Sequence, residues 1–322
     1  MELYMKYLRL FRIKHWIKNL LLFFPIIFSG QLFEQILFCR VVKGFFAFGF
    51  MASVIYIFND LKDLEMDRNN PAKQNRPLAS GLITRSAACI WMIVLFLAAE
   101  GICYFAGLGF RFWICLNSYL IMNIAYSMGM KHVPIVDVTI LSGGYLLRLY
   151  AGGAVAECMI SDWMFLTVTA ASFYLGFGKR RNELLRYGDR GRKILSKYTI
   201  AFLDKGVQMF LTLTVVFYAL CCADKNTAVA RSGVNLLWSV FVVILVLMRY
   251  HMLLEDGEGD GDPVEVVQKD KVILGLVFFY AISVMALIYL GGGVKRFNDC
   301  RERKNLRIYR RNKLCLYVWK IS

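Results

Sequence analysis

The run Tyr56-Ile-Phe-Asn59-Asp60-Leu-Lys62-Asp63-Leu-Glu-Met-Asp67-Arg68 continues through Pro71 and Lys73 to Arg76-Pro-Leu-Ala-Ser-Gly81. A strongly apolar segment, Phe45 to Phe58, feeds directly into it. If the helix runs on past Phe58, Asp60, Asp63 and Asp67 fall at i, i+3 and i+7, on one face. Carboxylates gathered on one face repel each other, and near a membrane interface they are costly unless a cation binds between them. Hard divalent cations take oxygen ligands, and Mg2+ typically uses one or two carboxylates, water and the phosphate oxygens of a substrate. The run therefore reads as a Mg2+–diphosphate site at the mouth of a helix bundle. Asp60, Asp63 and Asp67 are the candidate metal-holding and catalytic carboxylates, with Asn59 in support. The plainer reading is an acidic helix end in water, partnered by Lys62 and Arg68. The third aspartate, the adjacent Asn59 and the basic loop behind them weigh against it.

The rest of the chain sets this run in a membrane. Of 322 residues 58% are apolar and only 19% charged. The charges cluster and leave long apolar stretches between them, as in a polytopic membrane protein. Nine candidate spans follow, near 17–38, 41–59, 87–107, 111–130, 134–156, 162–178, 206–223, 233–254 and 272–291. The expected fold is an all-α membrane protein, a bundle of nine transmembrane helices around a cytoplasm-facing cavity. The first apolar run lacks a small-residue cleavage site and reads as a retained span. Loops on the side of the Asp-rich run carry most of the Lys and Arg, whereas the opposite loops hold Arg40, Lys43, Arg111, Lys225 and Arg231. The positive-inside rule puts the Asp-rich run in the cytoplasm. Residues 1–291 form the transmembrane domain. Residues 292–322, with ten Lys and Arg, read as a disordered basic extension that touches anionic lipid. Nine spans place that tail outside, against its charge. The net charge of +16 has its nearest partner in the lipid surface, so no nucleic-acid partner is expected. The nine cysteines show no Cys-x-x-Cys spacing, and His15, His132 and His251 are too scattered for a zinc site.

Other charges enter in chain order. Arg12-Ile-Lys14-His-Trp16-Ile-Lys18-Asn19 places Lys14 and Lys18 one helical turn apart, with Trp16 at interface depth. The segment reads either as an amphipathic anchor or as a phosphate clamp beside the aspartates. Behind the aspartates, Arg68, Lys73, Arg76 and Arg85 can neutralise several phosphates. Span 4 closes at Tyr126 and Lys131, on the same side as the aspartates. Span 5 carries Asp137 and Arg148 on one face, about 16 Å apart along an ideal helix, so each needs another partner. Span 6 ends in Gly178-Lys179-Arg180-Arg181-Asn-Glu183-Leu184. Cations there imply direct contacts to phosphate, and a substrate pair with more negative charge than one diphosphate.

Asn-Asp-x-x-Asp-x-x-x-Asp followed by Arg-Pro-Leu-Ala-Ser-Gly resembles the first aspartate-rich motif of the UbiA superfamily of membrane prenyltransferases. Three further features resemble one branch, the polyprenyl-phosphate phosphoribosyltransferases that include decaprenyl-phosphate enzymes. These are the Trp16-x-Lys18-Asn19 entry, Pro-x-x-Asp137…Gly-Gly-Tyr-Leu-Leu-Arg148…Ala-Gly-Gly, and Gly-Lys-Arg-Arg-x-Glu-Leu. The motifs keep the family's order over residues 9–291. The resemblance implies a UbiA-type bundle in a bacterial inner membrane that moves 5-phosphoribosyl from phosphoribosyl pyrophosphate to a polyprenyl phosphate. The products would be polyprenyl-phosphoryl-5-phosphoribose, for cell-envelope glycans, and pyrophosphate. It implies Mg2+ as cofactor, membrane lipid as surroundings and a homo-oligomer as one permitted state. On this reading Arg68, Lys73, Arg76, Lys179, Arg180, Arg181 and Glu183 hold the phosphoribosyl donor. Lys14, Lys18, Asn19 and Lys131 hold the lipid phosphate, and Tyr126, Asp137 and Arg148 line the cavity. Two alternatives are prenyl transfer from a diphosphate to an aromatic acceptor, against which the missing second aspartate motif speaks, and a lipid-phosphate transporter.

Overall fold

The computed structural model describes residues 2–70, 73–188, 194–224, 235–255 and 263–290. The basic tail, Pro71, and the acidic glycine-rich stretch after Glu255 lie outside them. Helix dominates, and among the described residues there is no strand. After α1 (Glu2–Phe11) come a 3-10 helix (Ile13–Phe23) and the short α2 (Phe24–Phe28). The helix α3 (Gln35–Lys62) ends in the Asp-rich run, and α4 (Leu64–Arg68) carries that run onward. Then follow α5 (Arg85–Phe105), α6 (Phe110–Met128), α7 (Val136–Val155), α8 (Asp162–Tyr187) and α9 (Ile200–Ala223). The last are α10 (Ser239–Glu255), α11 (Pro263–Lys269) and α12 (Lys271–Leu290).

Eight helices of 17 to 28 residues are thus described. Four of these, α3, α5, α9 and α12, are both long and apolar enough to cross a membrane. The starts of α5, α8, α9 and α12 follow from local chemistry. Thr84, Ser161 and Thr199 accept hydrogen bonds from the backbone N–H groups of Ala87, Met164 and Phe202, and Asp270 does the same for Ile273. The outer faces are apolar. Ile90, Ile93 and Leu97 on α5 and Phe278, Phe279 and Ile282 on α12 are all more than half exposed, as helices facing lipid require. The bundle is a multi-pass one.

The nine-span expectation differs at its first member. Residues 17–38 are not one membrane-length helix but the end of the 3-10 helix, α2 and a turn leading into α3. The tighter winding changes which side chains share a face, because a 3-10 helix repeats every three residues. Trp16, Asn19 and Leu22 are buried, while Lys14, Ile17 and Leu20 form an exposed stripe. Lys14 and Lys18 would share a face on an α-helix. Here they diverge, with Lys18 half-buried beside Asn19. Trp16 is not an interface anchor either. Its indole donates to Ser53 Oγ at 3.1 Å and packs edge-on against Phe50.

Two glycines let this segment sink into the bundle. A Cβ on Gly49 of α3 would lie 2.7 Å from the Trp16 ring, and one on Gly152 of α7 only 2.3 Å from the Leu22 carbonyl oxygen. The second obstacle is backbone and cannot rotate away. Gly152→Ala is therefore expected to cost about 1–3 kcal/mol, read as a lower thermal midpoint of the detergent-purified protein. Gly275→Ala, where a Cβ meets nothing within 4 Å, should show no loss.

The long helices pack in chain order, α5 on α3, α6 on α7, α7 on α8 and α8 on α9, and α10 joins α9 to α12. The short α11 touches the 3-10 helix and closes the ring. Four apolar clusters result among the described residues, two of them larger than the rest. Phe48, Met51, Phe112 and Leu116 centre one, and Tyr174, Phe177, Leu203 and Leu254 the other. The polar ends of α3, α6, α7 and α8 meet at one end of the bundle, between these cores.

Candidate functional site

The helix does not run straight through the Asp-rich stretch. Asp63, at φ −92° and ψ 10°, ends α3 and starts α4. The three aspartates therefore do not share one continuous face. Asp60 and Asp67, both buried, turn toward each other, and Arg76 Nη1 lies between them at 3.1 and 2.6 Å. Arg12 adds a 2.5 Å contact to Asp60 and stacks over the Tyr56 ring at 4.8 Å. Lys73 stands 3.7 Å from Asp67. Asp63 faces another way, held by Lys131 Nζ at 2.8 and 3.0 Å. Asn59 Oδ1 accepts from the Ser127 hydroxyl, and Lys62 donates to the Ser127 carbonyl at 2.6 Å. Arg68 lies outside this cluster, paired with the exposed Glu65 at 3.5 Å.

Neighbouring residues at the end of α6 join this cluster to a second one. Ser127 reaches α3, while the Tyr126 hydroxyl accepts from Arg180 Nη2 at 3.1 Å. Arg180 is 1% exposed and its fork is fully engaged. Nε contacts Asp137 Oδ2 at 2.5 Å and Nη1 contacts Glu183 at 2.5 Å. Asp137 also accepts from the Tyr198 hydroxyl at 2.7 Å. That hydroxyl in turn accepts from the Ile135 N–H at 2.6 Å. Burial, then the bond to Asp137, pushes the Tyr198 phenol up to about 12, so it remains a donor at neutral pH. Ile135 has φ 67° and ψ −45°, and Val136 N–H bonds back to the Pro134 carbonyl at 2.7 Å. This is a γ-turn of the strained kind. It is retained where it sets Asp137 at the first turn of α7.

The basic triplet of α8 is thus split. Successive helix residues point about 100° apart. Arg180 faces α7, whereas Arg181 turns to Asp204 of α9 at 2.5 Å and to the Leu254 carbonyl at 3.3 Å. Lys179 is not without a partner either. The sequence makes all three cations candidates for the phosphoribosyl donor; in this arrangement Arg180 is a buried tie between two carboxylates and Arg181 is paired with Asp204. Arg148 belongs to neither cluster. It lies three turns along α7 and bonds Asn19, Gly144 and Tyr119.

A divalent cation fits the first cluster. Two buried carboxylates already converge on one positive nitrogen, and Mg2+ needs only one or two from protein. Among the described residues no three His, Cys, Asp or Glu groups come close enough to hold a metal by themselves, because Asp63 is turned to Lys131. The remaining ligands would then be water and substrate phosphate.

Sequence reasoning assigned no site role to Arg12, Ser127, Tyr119, Tyr198 or Asp204. Arg12 stood at the head of the quoted N-terminal run, five residues before the first apolar span. The others are single polar residues whose partners lie far along the chain, and no spacing marks them.

Comparisons with known proteins bear on the family and the fold. The profile described as the UbiA prenyltransferase family matches residues 23–264. The decaprenyl-phosphate phosphoribosyltransferase of Corynebacterium glutamicum is 31% identical over 284 residues, 87% of this chain and 85% of that protein. The enzyme of the same name from Mycolicibacterium smegmatis is 31% identical over 297 residues, 86% and 91% of the two chains. The structure of a UbiA homolog from Archaeoglobus fulgidus bound to GPP and Mg2+ superimposes with a TM-score of 0.65 at 18% identity, over 87% of this chain and 99% of that one.

Proposed function

Since the chain belongs to the UbiA prenyltransferase family, we propose that it transfers 5-phosphoribosyl from phosphoribosyl pyrophosphate to a polyprenyl phosphate. The observation that carries this reading is the Asp60–Arg76–Asp67 cluster flanked by Arg12 and Lys73, with the Lys131–Asp63 pair next to it in the same run. It couples carboxylates for a metal with cations for phosphate. The relatives named decaprenyl-phosphate phosphoribosyltransferase support it over most of their length.

The donor's diphosphate exchanges places with the carboxylates on Arg12, Arg76 and Lys73, which leaves Asp60 and Asp67 to hold Mg2+. Bound there, Mg2+ supplies positive charge that stabilises the departing diphosphate. Lys131 and Asp63 flank the pair, and Asn59 is held in place by Ser127. The bond from ribose C1 to the diphosphate oxygen breaks with its electron pair on pyrophosphate. A phosphate oxygen of the lipid forms the new bond to C1. The acceptor is already an anion, so no side chain has to remove a proton. Lys179 is the cation of α8 assigned to the donor's 5′-phosphate. Arg180 and Glu183 act as the scaffold that fixes Asp137 and Tyr126. The reaction sits at the cytoplasmic side of a bacterial inner membrane, where the basic loops cluster.

The test is pyrophosphate release from phosphoribosyl pyrophosphate by the purified full chain. Release should require both polyprenyl phosphate and Mg2+. Silence with every lipid phosphate, alongside transfer from a prenyl diphosphate to an aromatic acceptor, would replace this reading with the aromatic prenyltransferase one.

A further inference from the structure

The outward face of α9 carries polar groups that no described neighbour matches. Of the four membrane-length helices, α9 is the least covered by described residues, so a purely apolar outer face is expected of it. Phe202, Met209, Val216 and Leu220 meet that expectation. Lys205, Gln208 and Thr212 do not, although they are exposed alongside them at i, i+3 and i+7. Lys205, Gln208, Met209, Thr212 and Leu213 line an open groove of about 400 Å³.

Two of these polar groups lack a partner. Thr212 is not one of them, because its hydroxyl donates to the Gln208 backbone carbonyl at 3.0 Å. Lys205 pairs with no carboxylate among the described residues. The adjacent Asp204 points about 100° away along the helix, to Arg181 Nε at 2.5 Å. The side-chain amide of Gln208 makes no hydrogen bond among the described residues. An ammonium or an amide facing hydrocarbon is costly. The groove therefore calls for an occupant with an anion at one level and oxygen acceptors at the next.

Depth identifies that occupant. α9 starts at Ile200, at the end of the bundle where Tyr198 bonds Asp137. From there Lys205 lies about 7.5 Å along the helix, Gln208 about 12 Å and Leu213 about 20 Å. A lysine this near a helix end reaches back to the headgroup layer. A glycerophospholipid has the same order of groups, with phosphate outermost, ester carbonyls next and acyl chains below. We propose that the α9 groove is a binding site for an anionic glycerophospholipid. Lys205 meets its phosphate, Gln208 donates to an ester carbonyl, and an acyl chain lies along Met209 and Leu213. A zwitterionic headgroup brings its own cation and leaves Lys205 less to gain. A polyprenyl phosphate has no ester carbonyl for Gln208, so this site is separate from the one that binds substrate.

The test titrates the purified full chain, in a neutral detergent, with dioleoyl phosphatidylglycerol and with dioleoyl phosphatidylcholine, and reads bound lipid by native mass spectrometry. The wild-type chain should bind the anionic lipid at least about fivefold more tightly, the effect of one lysine beside an anionic headgroup. Lys205→Gln should erase that preference, and Lys205→Arg should keep it. Gln208→Leu should weaken both lipids and leave the preference, since both carry ester carbonyls. Lys271→Gln removes another exposed lysine, at the start of α12, and should change nothing. A preference untouched in Lys205→Gln overturns the proposal. So does an equal loss in Lys271→Gln, which would mean diffuse attraction to a chain of net charge +16. A lipid-free dimer that Gln208→Leu converts to monomer also overturns it, by giving the groove to a second copy of the chain. If Lys205→Gln does not fold, Lys205→Met is read in the same way. No step needs turnover, so the outcome is independent of the function proposed above.

Discussion

Asp60→Asn is expected to lower pyrophosphate release about a thousandfold and to leave the fold intact. The amide has the carboxylate's shape, and its oxygen can still accept from Arg12 and Arg76. What it lacks is the negative charge that the proposed metal site requires. Asp60 and Asp67 are the carboxylates that share Arg76, so losing one halves the charge available to a metal between them. The comparison is Glu65→Gln. Glu65 is exposed and pairs with Arg68 and Arg85 at 3.5 and 2.7 Å. Its loss should change activity less than about twofold, since exposed pairs contribute little. Asp60→Asn retaining activity within tenfold of wild type at saturating Mg2+ would remove Asp60 from the metal site.

Arg180→Ala should act on stability before activity, at a cost of about 3–5 kcal/mol. The residue holds two carboxylates, and its removal strands Asp137, 0% exposed, with the Tyr198 hydroxyl as its one remaining side-chain donor among the described residues. An ordinary domain is stable by only about 5–15 kcal/mol in all. The measurement is the yield of monodisperse protein from detergent and its thermal midpoint. Arg181→Ala, next in sequence, breaks a part-exposed pair with Asp204 and should cost about 1 kcal/mol or less. A folded Arg180→Ala protein with nothing changed but a weakened donor KM would instead make Arg180 a direct phosphate ligand.

These two positions mark the limits of sequence reading. The Asp-rich run, its loop cations and Lys131 meet in space because they lie at helix ends, where an apolar stretch stops and polar residues begin. Hydropathy reports such boundaries, and the order of the motifs identified the family. Three things depended on backbone detail that composition does not encode. The break at Asp63 separated it from Asp60 and Asp67. The 3-10 winding of Ile13–Phe23 moved Lys14 away from Lys18 and buried Trp16. The 100° step along α8 divided Arg180 from Arg181. Arg148 and Asp137 were legible as buried charges in need of partners. The partners, Asn19, Tyr119 and Arg180, are 129, 29 and 43 residues away in the chain, and only packing joins them.

The pairing of Arg12, Arg76 and Lys131 with the aspartates has a bearing on how a catalytic cycle closes. Pyrophosphate is a small, dense anion that a nest of bare cations would hold tightly, and slow departure of such a product limits many enzymes. In this chain the carboxylates stand ready to reclaim the same guanidinium and ammonium groups. The resting site carries its own competitor for the leaving product. On the function proposed above, each aspartate that recaptures a cation would weaken the grip on pyrophosphate, so the cluster that admits the donor would also set the off-rate of what remains of it.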